Sequence, residues 1–136
     1  MKTIITDEKN TMTILENTAN PAPLGLLGFG LTTILLNIHN IGVIGFSSMI
    51  LAMGIFVGGI AQVIAGILEF KKNNTFGMTA FIAYGFFWIS LVALIIMPLK
   101  GLGTKPNNVE MAAYLLVWGI FSSGMLVGTF RISKAL

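Results

Sequence analysis

The sequence contains no cysteine. That absence excludes a disulfide framework, thiolate metal sites, Fe–S clusters and a cysteine nucleophile. Charge is nearly as scarce: Asp, Glu, Lys and Arg make up 10% of the 136 residues, against roughly 25% in a soluble domain. No carboxylate falls inside an apolar run, because Asp7, Glu8, Glu16, Glu69 and Glu110 lie at ends or in connections. An intramembrane carboxylate relay of the usual kind is therefore not expected. His39 is the single histidine and has no acidic or sulfur neighbour in sequence. It reads as an interfacial residue at a helix end, not as a ligand or base. There is no G-x-S-x-G, no H-E-x-x-H and no Walker A run. Neither an enzyme nor a cofactor or metal site is expected. The net charge of +3 comes from scattered basic residues, a pattern that speaks to membrane topology and not to nucleic acid.

What the chain does have is apolar length. Hydrophobic residues make up 55% of it, and the mean hydropathy is +0.89. Residues 1–19 read as a polar leader. Lys2 is followed by too short an apolar stretch for a secretory signal before Asp7, Glu8 and Lys9 intervene. Residues 20–136 then form one membrane domain with four apolar segments, about Leu24–Ile44, Phe46–Leu68, Phe76–Leu99 and Met111–Phe130. Each is long enough to cross a bilayer as a helix, which takes about 20 residues. None alternates as a barrel strand would. The expected fold is an all-α membrane protein with antiparallel neighbours joined by short connections. The side holding the leader, the second connection and the carboxyl end carries Lys2, Lys9, Lys71, Lys72, Arg131 and Lys134, against Lys100 and Lys105 on the other. The positive-inside rule puts both termini in the cytoplasm.

Glycine pairs suggest where helices touch. Gly54 and Gly58, with Gly59, Ala61, Ala65 and Gly66, make one small-residue surface, and Gly124 and Gly128 make a second. Such surfaces pack helices within one chain or between subunits. At Asn20-Pro21-Ala22-Pro23-Leu24-Gly25-Leu26 a proline is suited to a first helical turn, and the residue before a proline avoids the α region. Ala22 is thus expected to be non-helical, with Pro23 starting the first span. The amides of Leu24, Gly25 and Leu26 would then be free to meet a carboxylate, unless this is a plain helix start at the interface. Phe29 sits between Gly28 and Gly30, followed by Thr32 and Thr33, and Tyr84 precedes Gly85. An aromatic beside glycine suits a constriction; lipid-facing and interfacial rings are the bland alternative. Gln62 is the only amide side chain deep in a span. It serves either as a polar contact along a path or as a hydrogen bond between helices.

These residues carry a resemblance. Asn20 to Leu26, Gly28 to Asn37, Gly54 to Gly66, Asn74 to Phe81 and Ala113 to Gly119 resemble the acetate uptake transporter family, of the succinate–acetate permease type. The likeness runs from about Asn20 to Leu136. It implies a multi-pass protein of the cell (inner or plasma) membrane that passes acetate and other small monocarboxylates, and in some members succinate. It further implies a channel-like path through each protomer, coupling to protons, and assembly as a homo-oligomer, a hexamer. The substrate-binding set expected from the residues read above is Asn20, Pro23, Leu24, Gly25, Leu26, Thr32 and Gln62, and the resemblance implies a pore constriction at Phe29 and Tyr84. The family has six spans, so this chain resembles the first four. Its third constriction residue, a leucine from the fifth helix, has no position here. Such a chain looks truncated, and alone it is not expected to enclose a selective acetate path. A non-transporting subunit that assembles with itself or with full-length relatives is the alternative.

The basic bias generates a topology test. Single cysteines placed in residues 1–19 of this cysteine-free chain are expected to resist an impermeant thiol reagent added outside intact cells. Labelling there would reverse the orientation.

Overall fold

The computed structural model describes residues 2–6, 12–16 and 18–132. Asp7, Glu8, Lys9 and Lys134, which enter the charge reading above, lie outside the described residues. Within the leader, β1 (Lys2–Thr6) and β2 (Met12–Glu16) pair antiparallel, with Lys2 opposite Glu16 and Thr6 opposite Met12. Thr3, Ile4, Ile5 and Thr6 are β-branched, the residue class that favours extended backbone.

Four helices follow: α1 (Ala22–Asn40), α2 (Ser48–Lys71), α3 (Thr75–Leu99) and α4 (Asn108–Ile132). All four are long and apolar enough to cross a membrane, and the protein is a multi-pass membrane protein with an all-α membrane domain. The first three stop in the same way. Val43 N–H reaches back to Ile38 O, Asn74 N–H to Glu69 O and Leu102 N–H to Met97 O. Each bond spans a left-handed residue, Gly42 (φ +82°), Asn73 (φ +57°) and Gly101 (φ +70°). That geometry closes orphan carbonyls at a helix end. His39 belongs to the first of these turns: its Nδ1 donates to Ile44 O at 3.0 Å and its ring meets Phe46. It therefore fastens the α1–α2 connection.

α1 begins one residue earlier than the proline spacing suggests. Ala22 is helical because Pro21 itself takes the α conformation (φ −83°, ψ −13°), and Asn20 Oδ1 accepts from Ala22 N–H at 3.1 Å. The Asn20 bond and the helical Pro21 outweigh the preference of a pre-proline residue for extended backbone. Within α2, Met53–Ala61 is wound as π-helix. Its i→i+5 bonds enclose one more residue than the i→i+4 bonds of an α-helix, a departure that hydropathy does not signal.

α2 lies against α1 and α3, and α4 rests on α3. The small residues of α2 are what the neighbours touch. A Cβ on Gly54 would stand 2.7 Å from Val92, one on Gly58 would meet Thr32 and Trp88, and one on Gly59 would stand 2.6 Å from Ile89. Gly128 is filled in the same way by Phe76, while nothing stands within 4 Å of Gly119 or Gly124. The Gly54/Gly58 surface thus packs helices within the chain. In α4 a stripe of Tyr114, Trp118, Phe121 and Met125 is half-buried, while Leu116, Val117, Ile120 and Val127 are exposed.

Gly85 of α3 is closely covered by α2, with Val63 Cγ2 at 2.7 Å and the Gly59 carbonyl at 2.9 Å from an added Cβ. Overpacking such a site costs about 1–3 kcal/mol. Gly85→Leu is expected to lower the melting temperature of detergent-extracted protein, and Gly119→Leu to leave it near wild type. Equal melting temperatures would contradict this packing.

Candidate functional site

A cavity of about 680 Å³ lies between the four helices. It runs from the end of the bundle where α1 and α3 begin, beside Ala22, Asn74 and Phe76, inward to Phe29, Tyr84 and Ser122. Ala22 and Phe29 are seven residues apart in α1, a depth of about 10 Å at the helical rise. Its surface is overwhelmingly apolar, with polar groups from Gln62, Asn74, Tyr84, Ser122 and Thr129. Among the described lining residues none is Lys, Arg, His, Asp or Glu.

The inner end is closed by aromatic rings. Phe29 and Tyr84 meet with centroids 5.1 Å apart and planes tilted by 55°. Phe121 stands edge-on to Tyr84 at 5.4 Å, and the Tyr84 hydroxyl donates to Ser122 Oγ at 3.0 Å. Tyr84 is thus held by α1 on one side and α4 on the other. Edge and tilted contacts of this kind suit the ring quadrupoles. Below this group Phe87, Tyr114 and Trp118 continue the aromatic packing between α3 and α4.

Gln62 is 1% exposed and lines the cavity from α2. Its Nε2 donates to the Gly25 carbonyl at 3.1 Å, while its Oε1 has no partner. Of the two roles open to it, the bond between helices is present, and one polar atom remains unused. Thr32 is 2% exposed and donates to Gly28 O. It packs over Gly58 and is absent from the cavity wall.

The helix start differs from expectation. Leu24 N–H bonds to Pro21 O at 3.1 Å and Gly25 N–H bonds to the same oxygen at 3.3 Å. Since α1 begins at Ala22, the donors expected to be free are occupied by the chain itself. Gly25 faces the Phe81 ring, which would stand 2.6 Å from an added Cβ. Asn20 Oδ1 is taken up by Ala22 N–H, Pro23 and Leu24 are exposed, and of the expected set only Leu26 and Gln62 line the cavity.

A polar pair at the cavity mouth has no counterpart in the sequence reading. Glu69 is 2% exposed, with Oε2 accepting from Asn74 Nδ2 at 2.8 Å and Oε1 unpartnered. Asn74 Oδ1 in turn accepts from Gly77 N–H at 3.0 Å and starts α3. A Cβ on Gly77 would stand 2.5 Å from Asn74 Nδ2 and 3.1 Å from the Glu69 carboxyl carbon. The signal was the Asn73-Asn74 pair followed by Gly77, which places an amide and a gap opposite the end of α2.

The family model described as GPR1/FUN34/yaaH matches residues 7–136. The chain belongs to that family. It is 57% identical over 118 residues to the succinate-acetate/proton symporter SatP of Escherichia coli (strain K12), a match covering 87% of this chain and 63% of the relative. The solved structure of the bacterial acetate channel SatP superposes with a TM-score of 0.84 at 56% identity, covering 87% of this chain and 65% of that one. Acetate permease A of Emericella nidulans is 38% identical over 129 residues, 86% of this chain and 43% of the relative. The chain therefore spans less than two thirds of the relatives it matches. Membership accounts for the resemblance carried by Asn20 to Leu26 and by the segments after it.

The Phe81 contact changes what a substitution at Gly25 does. Gly25→Val is expected to loosen α1 from α3 and lower the melting temperature in detergent. Gly30→Val, where nothing stands within 4 Å, serves as control. An unchanged melting temperature for Gly25→Val would return this glycine to a role in binding.

Proposed function

We propose that this protein carries acetate and other short monocarboxylates, succinate included, across the cell membrane. The path runs through the protomer along the cavity and past the Phe29–Tyr84 pair. The observation that carries the reading is that pair: two rings 5.1 Å apart at the inner end of an apolar cavity, where a hydrophobic constriction holds back hydrated ions. Family membership and the names of SatP and acetate permease A support the substrate class. Gln62 is the polar contact along the path, and Phe29 and Tyr84 form its narrowing. Transport is coupled to protons, as the name of the Escherichia coli relative has it. The protomers assemble as a hexamer, with the exposed apolar faces of α4 toward lipid or neighbours, and the amino terminus lies in the cytoplasm.

The reading is tested by labelled acetate uptake into liposomes holding the purified protein, with longer carboxylic acids as competitors. Phe29→Ala opens the narrowing and is expected to strengthen competition by the longer acids several-fold at equal protein level. Uptake no greater than in empty liposomes, or a competition series identical in wild type and variant, would overturn it.

A further inference from the structure

A helical serine or threonine ordinarily turns its hydroxyl back to a carbonyl three or four residues earlier. Thr32, Thr79, Ser90, Ser123 and Thr129 all do so. Ser122 does not. Its Oγ is turned off its own helix toward the α3 wall of the cavity, where it accepts from the Tyr84 hydroxyl at 3.0 Å. Both residues line the cavity, and Ser122 is half-buried. Each hydroxyl has one hydrogen to give. Two hydroxyls in contact place one hydrogen between them, so this pair keeps the other free. With Tyr84 as the donor, the free hydrogen is on Ser122, and it meets no acceptor among the described residues.

A second pair of hydroxyls shows the contrast. Ser90 Oγ and the Tyr114 hydroxyl stand 2.7 Å apart, and both reach the Phe87 carbonyl, at 2.9 Å and 3.2 Å. That carbonyl takes the hydrogen the pair would otherwise leave over. No carbonyl serves Ser122 in this way. Elsewhere on the cavity wall, Thr129 donates to Met125 O, Gln62 to Gly25 O and Asn74 to Glu69. Ser122 is also held in place. The Tyr84 ring that it meets is fixed by Phe29 at 5.1 Å and Phe121 at 5.4 Å. Accepting from Tyr84 polarises the Ser122 hydroxyl and strengthens it as a donor.

We infer that Ser122 is the hydrogen-bond donor to the carboxyl oxygen of a solute standing against the Phe29–Tyr84 pair, with Tyr84 as the residue that positions it. The inference rests on the transport reading and adds to it the contact that orients the solute. A short carboxylate has an acceptor end and an apolar end. Ser122 takes the first, and the second is left to the apolar wall. The donor thereby favours a solute with an acceptor oxygen over an apolar one of the same width.

The test is acetate affinity, read by saturation transfer from the purified protein in detergent to the acetate methyl protons, alongside labelled acetate exchange across liposomes holding the same protein. Tyr84→Phe/Ser122→Ala removes both hydroxyls and keeps a ring at the narrowing, so a Tyr84 hydrogen released by the loss of Ser122 cannot stand in. Its affinity for acetate is expected to fall about tenfold or more, as for a lost hydrogen bond to a charged group, while Ser122→Thr, which keeps the hydroxyl, stays within about twofold of wild type. The affinities for propionate and butyrate relative to acetate are expected to be unchanged in the double variant. A lost donor weakens every carboxyl ligand alike, whereas loosened packing would favour the longer acids. Wild-type affinity in the double variant, Ser122→Thr as weak as that variant, or a relative gain for the longer acids would each overturn the assignment. So would the absence of saturable acetate binding by the wild type. Binding that depends on Ser122, with exchange no faster than in empty liposomes, would uphold the contact and overturn the transport reading.

Discussion

A Cβ on Gly28 would stand 2.6 Å from the carbonyl oxygen of Val57, so the backbones of α1 and α2 meet where side chains normally intervene. In lipid there is little hydrophobic gain from bringing two apolar helices together, and such close contact is what holds them. The approach also decides where the polar groups go. With α1 this near, the Gln62 amide reaches the Gly25 carbonyl, and the Thr32 hydroxyl turns back to Gly28 O above Gly58. On the opposite side of α2, Gly59 and Gly66 admit Ile89 and Ile82 of α3. α2 is thereby clamped between its neighbours, and α4 supplies the remaining wall of the cavity through Ser122, Met125 and Thr129.

Hydropathy and length made the four helices legible, because a spanning helix must satisfy its backbone internally and stay apolar over its whole length. The two rings singled out beside glycines, Phe29 and Tyr84, are the two that meet. The start of α1 was not legible. Pairwise proline rules do not know that Pro21 will take helical angles, nor that its carbonyl will absorb the amides of Leu24 and Gly25. The π-wound stretch of α2 was hidden for a related reason: it changes hydrogen-bond spacing without changing composition. Glu69 was placed at a span end from its position next to Phe70, Lys71 and Lys72, and a span end suggests water. Burial came from the α2–α3 turn, which folds Asn74 over the carboxylate. Thr32 illustrates the same limit, since its hydroxyl is consumed one turn back by Gly28 O, a local bond open to any helical threonine.

The polar groups of the membrane domain follow one economy. Serine and threonine hydroxyls return to carbonyls three or four residues earlier, as in Ser90, Ser123 and Thr129. The Tyr114 hydroxyl reaches across to the same place in α3, 2.7 Å from Ser90 Oγ and 3.2 Å from Phe87 O. Each such bond satisfies a polar group that hydrocarbon could not.

The spacing of the two rings depends on how firmly each is held. Tyr84 is pinned by Phe29 from α1, by Phe121 from α4 and by its bond to Ser122. Its ring cannot swing aside without breaking contacts to two other helices. Phe29 is fixed less by partners of its own than by the position of α1. That position is set one residue earlier, where Gly28 lies on the Val57 carbonyl. The width between the two rings is therefore a consequence of helix spacing. A change that pushed α1 from α2 at Gly28 would release the Gln62 bond to Gly25 and separate the rings at once. The polar contact and the narrowing are in this sense one element of the fold, built on a backbone approach that no side chain larger than hydrogen permits.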